Sequence, residues 1–279
     1  MNKTIQNALI AADRLFEIMD LKREDTENKI ELKKEHLGNI VFENVSFRYG
    51  SRTEVFKNFN ATFKKGQTTA IVGESGSGKT TLIALLQNLY PIKEGNIYIG
   101  NYDLKHIHYK SLRALVGVIP QQVNLFSGTI IENIALGQDS PNMQRIIELS
   151  NQLGITSFAE KLPNGFETQV GENGAMLSGG QKQRISIARA LYKNPEILLM
   201  DEATSSLDTH SEVIVKQVID DFKLKGKTVI VIAHRLSTIA NADTILVMQN
   251  GIILEQGTHN KLLNKRGNYY ALWKKQSII

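Results

Sequence analysis

The stretch that decides the fold is "TTAIVGESGSGKTTLIALLQNLY", residues 68–90. Its first six residues carry no charge and read as a mainly apolar run without alternation, which suits a strand covered on both faces, as in a parallel α/β sheet. Its end, "TTLIALLQNLY" (80–90), reads as a helix. Between them, "GESGSGKTT" (73–81) satisfies G-x-x-x-x-G-K-[ST] through Gly73, Gly78, Lys79 and Thr80. The glycines let backbone N–H groups close around phosphate oxygens, Lys79 supplies a point charge at the β- and γ-phosphates, and the Thr80 hydroxyl can ligate Mg²⁺. Gly73, Glu74, Ser75, Gly76, Ser77, Gly78, Lys79, Thr80 and Thr81 are therefore the expected nucleotide-binding loop. A glycine-rich turn with an incidental lysine would not need this strand–loop–helix setting.

Two more apolar runs, "EILLMD" (196–201) and "KTVIVIAH" (227–234), read as further strands of the same sheet. Ligands bind at the carboxyl ends of such strands. Asp201 and Glu202 stand at one such end. Asp201 is placed to hold Mg²⁺ through its waters, and Glu202 is a candidate general base for an attacking water. His234 ends the third strand at the same edge, where a polar role at the γ-phosphate is expected. Gln121, in "VIPQQ", follows a short apolar run in the same way; its amide can bind Mg²⁺ or orient water.

A second helix start lies in "LSGGQKQRISIARAL" (177–191). Ser178 reads as the N-cap, and Ile185, Ala188 and Leu191 share one face. Small residues and free N–H groups at a helix start can hold an anion, yet this one has no lysine.

The rest of the chain bounds these readings. Its 279 residues, 42% hydrophobic and 22% charged, are ordinary globular material with room for a substantial core. There is no cysteine, which excludes disulfides and thiolate metal sites. A net charge of +5 with no basic run interleaved with aromatics gives no support to a nucleic-acid partner. No stretch approaches the ~20 apolar residues of a membrane span. Near the start, Ile5, Leu9, Ala12, Phe16 and Met19 form a helical stripe. Residues 22–36, dense in charge of both signs, read as a linker with no face to bury. "VSFRYG" and "NFNATF" alternate as half-buried strands, and 243–257 reads as a hairpin around Asn250-Gly251.

Taken together, the phosphate loop, "PQQVNLFSGTI" (120–130), "LSGGQKQR" (177–184), "LLMDEATSSLD" (198–208) and "VIAHR" (231–235) resemble, in this order, the ATP-binding cassette (ABC) family. The similarity covers about 240 residues, from Gly38 onward. It implies an α/β fold with a P-loop NTPase (RecA-like) parallel core, an N-terminal antiparallel β portion and a helical lobe at roughly 122–190. It also implies that two cassettes pack head to tail around two Mg-ATP. Ser178, Gly179, Gly180 and Gln181 would then cap the γ-phosphate held by the partner cassette, which accounts for a helix start without a lysine. By the same resemblance Tyr49 stacks on adenine and Gln121 couples Mg²⁺ to the transporter. Asp208 lies in the loop crossing the dimer seam, and His234 is the switch histidine. One departure is "GENG" (171–174), where exporters usually carry Gly-Glu-Arg-Gly; Asn173 takes the arginine's place.

The segment "AADRLFEIMD" looks like the stalk by which an exporter's last membrane helix enters its cassette. Residues 1–38 are thus expected to be stalk and linker, and 39–279 the cassette, at the cytoplasmic face of a membrane. The expected partners are a second such domain and the transmembrane domains. "FRYGSRTEVFKNFNATFKKGQ" (47–67) looks like peptidase-containing peptide and bacteriocin exporters, whose peptide substrate is bound by the membrane domains. The alternatives are export of lipid or drug-like substrates and a soluble, non-transport ABC ATPase. A coiled-coil chromosomal member is disfavoured by the short 82–176 separation, and a non-hydrolysing switch by the presence of Glu202 and His234. No N-K-x-D motif supports a GTPase.

Overall fold

A computed structural model describes residues 3–21, 24, 27–201, 209–233 and 239–277. Its described strands are β1 (Ile40–Phe47), β2 (Phe56–Phe63), β3 (Thr68–Gly73), β4 (Glu94–Ile99), β5 (Tyr102–Asp103), β6 (Val116–Ile119), β7 (Ile197–Asp201), β8 (Thr228–Ile232), β9 (Thr244–Gln249) and β10 (Ile252–Gly257). Its described α-helices are α1 (Lys3–Met19), α2 (Lys79–Leu86), α3 (Tyr109–Leu115), α4 (Ile130–Ile134), α5 (Met143–Gln152), α6 (Thr156–Ala159), α7 (Gly179–Tyr192), α8 (Thr209–Leu224), α9 (His259–Lys265) and α10 (Asn268–Ser277).

The strands form two sheets. The main one runs β10-β9-β3-β8-β7-β6; β9, β3, β8, β7 and β6 are parallel and β10 is antiparallel to β9. The smaller one runs β2-β1-β4-β5 and is antiparallel throughout. The period of two along a strand, with both faces covered, explains why the central strands are buried along their length and largely apolar. Ala70, Val72, Leu198, Met200, Val229, Val231, Ile245 and Val247 enter one core, shared with the helices of the lobe and with α8. Ile71, Ile197, Leu199, Ile230, Ile232, Leu246 and Met248 enter the other, between this sheet, α2 and the aromatic faces of β1 and β2.

The parallel register sets Ile71 opposite Ile232, Ile232 opposite Asp201 and Met200 opposite Ile119. The loops after β3, β7 and β6 therefore leave one edge together. Between β6 and β7 the chain makes its helical excursion through α4, α5, α6 and α7, inside the span read as the lobe.

Two expectations are corrected. The helix after the phosphate loop ends at Leu86, short of residue 90. Asn88 takes φ 54°, its N–H reaches Leu85 O at 2.9 Å and Leu89 N–H reaches Ala84 O at 3.2 Å, the closing pattern of a Schellman turn. The linker is not without a buried face. Ile30 bridges to Ile107, its N–H donating to His106 O and its carbonyl accepting from His108, both at 2.8 Å. Leu32 is only 4% exposed, and its N–H donates to Ser111 Oγ at 2.9 Å. Charge dominates the composition of 22–36 and hides this strap. By contrast, α1 buries no residue, and its apolar stripe faces outward.

Candidate nucleotide site

The β3–α2 turn builds a cradle. Gly73, Gly76 and Gly78 adopt φ of 154°, 80° and 99°, where L side chains are strained. A Cβ on Gly78 would come within 2.8 Å of the Phe56 ring, and one on Gly73 within 2.1 Å of Met248 O. The loop is braced from behind by the β9–β10 hairpin, whose Gly251 N–H donates to Ser77 O at 3.2 Å. The hairpin's Asn250-Gly251 pair, at φ 49° and 74°, matches a type I′ turn. Val55, Gly73, Ser75, Gly76, Gly78, Lys79, Thr80, Thr81 and Gln121 line an open cleft of about 490 Å³.

Lys79 is only 8% exposed, and its ammonium donates to Gly73 O at 2.9 Å and Glu74 O at 2.8 Å. These bonds hold the charge over the loop's mouth, at the start of α2, where the helix N-terminus also favours an anion. Thr80 Oγ1 lies 3.4 Å from Asp201 Oδ1, and Asp201 is buried at the end of β7. Two hard oxygens at this edge, with the Gln121 amide on the cleft wall, fit Mg²⁺, which favours oxygen ligands and retains several waters. Thr80, Asp201 and Gln121 are the residues that would hold it.

Tyr49 stands beside the cleft. Its hydroxyl donates to Thr81 Oγ1 at 3.3 Å, and the Phe47 and Tyr90 rings stand nearly perpendicular to its ring with centroids 4.8 and 5.0 Å away. An aromatic held in this way can offer a face to a base.

The second helix start is built differently. Ser178 caps α7: its Oγ accepts from Gln181 N at 3.3 Å, and Gln181 Oε1 accepts from Ser178 N at 2.9 Å. Ser178 and Gly179 are exposed, and no atom lies within 4 Å of a Cβ built on Gly179. Residues 178–181 are not among those lining the cleft around Lys79. Glu202, Asp208 and His234 lie outside the described residues. Sequence reasoning missed Val55 as a lining residue and Gly251 as the loop's brace. The hairpin was visible as Asn-Gly, but its landing on Ser77 depends on tertiary contact alone.

A glycine cradle after a central parallel strand, a lysine over its mouth and an acid at the next strand end but one define a P-loop nucleotide-binding fold. The chain belongs to the ABC transporter family: the family described as "ABC transporter" matches residues 56–205. It is the family's ATP-hydrolysing domain, of the exporter type. It is 44% identical over 276 residues to an "ATP-dependent lipid A-core flippase" of Saccharophagus degradans, covering 99% of this chain and 47% of that protein. It is 48% identical over 246 residues to "Multidrug resistance protein 1" of Entamoeba histolytica, covering 86% and 19%. A solved structure described as "a bacterial Atm1-family ABC exporter with ATP bound" superposes with a TM-score of 0.89 at 41% identity, covering 98% of this chain and 48% of that one. The chain thus spans about half the length of this flippase and this exporter.

Proposed function

We propose that this domain is the motor of an exporter, in which Mg-ATP joins two copies head to tail and hydrolysis releases them. The observation that carries the reading is the separation of two phosphate-seeking features on one chain. Lys79 and the glycine cradle form one cleft, while the exposed Ser178 helix start stands outside it. A second copy brings its Ser178–Gln181 turn to the first copy's γ-phosphate. The helix N-terminus then supplies the favourable partial charge that an arginine finger supplies elsewhere. Mg²⁺ at Thr80, Gln121 and Asp201 would neutralise charge on the β- and γ-phosphate oxygens. Glu202 takes the proton of the attacking water, and His234 contacts the γ-phosphate. Tyr49 holds the base, and Asp208 lies at the seam.

For the substrate, the peptide class drawn from residues 47–67 gives way to lipid-like or drug-like molecules. Two relatives named as lipid A-core flippases, in different bacteria, and one named as a multidrug resistance protein support that class. The transmembrane partner would continue from α1, whose exposed stripe has no cover within the described chain. The domain would then lie on the cytoplasmic side.

The test is Glu202→Gln on a sizing column with Mg-ATP, beside the turnover of both proteins. The reading expects turnover to fall by on the order of 10²–10⁴ while an ATP-dependent dimer accumulates. Near-normal turnover would remove Glu202 from the base role, and a monomer at every ATP concentration would count against the head-to-tail assembly.

A further inference from the structure

The loop that follows Gln121 is tied to α7 at both ends of that helix. At the approach to Ser178, Val170 N–H donates to Gly128 O at 2.9 Å, and Thr129 bridges Gln169. Leu125 packs so closely on Gly174 that a Cβ there would lie 2.8 Å from Leu125 Cδ1. At the far end, eleven residues or about 16 Å along α7, a single side chain makes the tie. Arg189 Nε donates to Asn133 O at 2.8 Å, Nη2 to Asn133 Oδ1 at 2.7 Å and Nη1 to Asn124 O at 3.0 Å. Its guanidinium also lies 5.4 Å from the centre of the Phe126 ring. Asn133, 1% exposed, extends the grip: its Oδ1 accepts from Phe126 N, and its amide donates to Phe126 O and Thr129 O.

We propose that Arg189 is a positioning residue that fixes the Ser178 helix start relative to the Gln121 loop. The inference rests on the in-trans role of Ser178. A lysine has three donors but on one tetrahedral nitrogen at the end of a flexible stem, so it cannot reproduce the planar fork that reaches Asn124 and both atoms of Asn133. Burial lowers the guanidinium pKa, but an arginine remains charged at neutral pH. Arg189 does not line the cleft, and its bonds go to Asn124 and Asn133, so it is not expected to affect how a single chain holds ATP.

The experiment places Arg189→Lys and Arg189→Gln in the Glu202→Gln background. It reads two constants: binding of a fluorescent ATP analogue to the dilute monomer, and ATP-driven dimerisation by sedimentation. The expected result is monomer affinity within about twofold of the parent and a dimer constant weakened about tenfold or more, the scale at which misplaced contacts register. Lysine should fail to restore it. Hydrogen exchange should quicken at 124–133. If the glutamine variant melts, the lysine variant, which keeps the charge and stem, decides the outcome. Unchanged dimerisation in a folded Arg189→Lys protein would overturn the inference. Equal loss of both constants would reduce Arg189 to general stability and overturn it too. If the Glu202→Gln parent itself never dimerises, the head-to-tail reading fails instead, and the parent control keeps the two failures distinct.

Discussion

The phosphate loop and the start of α7 both present a helix N-terminus, and they solve opposite problems. At the phosphate loop the chain closes on itself. Three glycines in left-handed geometry, a buried lysine and a hairpin brace make a concave cradle that needs no other chain. At Ser178 the cap is satisfied internally by Gln181, and Gly179 faces open space. On the proposed function, the first region is a container and the second a lid for the nucleotide held by another chain. A helix start acquires its role from what surrounds it, since the N-terminal partial charge is common to both.

Substitutions can break this comparison. Lys79→Ala should have the largest effect, because it removes the charge from the container. Nucleotide binding to the monomer should weaken, and turnover should fall by on the order of 10²–10³, as for loss of a preorganised charged donor. A filter-binding assay with a rate measurement checks it. Ser178→Arg should reduce turnover by roughly 10²-fold, the scale of a misplaced catalytic surface, and leave monomer binding intact. Isothermal titration of the dilute variant separates these effects. Tyr49→Ala should weaken ATP by about 1–3 kcal/mol if the ring stacks on the base. Tyr49→Phe, which loses only the bond to Thr81, should cost about 0.5–1.5 kcal/mol. An equal loss in both would assign the effect to the hydroxyl.

The smallest effect concerns the helical pair behind the loop. Tyr269 is buried on α10, its hydroxyl 2.8 Å from His259 Nδ1, and burial pushes its pKa up to about 12. Because the folded value lies above the ordinary value of 10, this contribution to stability is complete below pH 10 and lost as pH rises toward 12. Melting temperatures across that window should fall more steeply for the parent than for Tyr269→Phe.

Legibility in the sequence followed the same division. The container is local: residues 68–81 specify their strand, turn and cation within one contiguous run, and the structure places them as read. Asp201 was legible because a parallel sheet gathers strand ends at one edge. The strap at 29–37 was not, because Ile30 and Leu32 stand among charges and their partners, Ile107 and Ser111, lie far along the chain. Arg189 escaped notice for the same reason: on a helical wheel it is one more exposed cation, and only the fold delivers Asn124 and Asn133 to it. Long-range pairing with polar or backbone atoms leaves no periodic trace.

The most direct test of the account is a mixing experiment. Lys79→Ala and Ser178→Arg are each assayed alone and then together at equal concentration. If Ser178 serves the nucleotide of the opposite chain, the mixed dimer contains one complete site, built from Lys79 of one chain and Ser178 of the other, and ATPase activity partly returns on mixing. If both features act on the same chain's nucleotide, no pairing restores a complete site; a mixture no more active than its components would contradict the account.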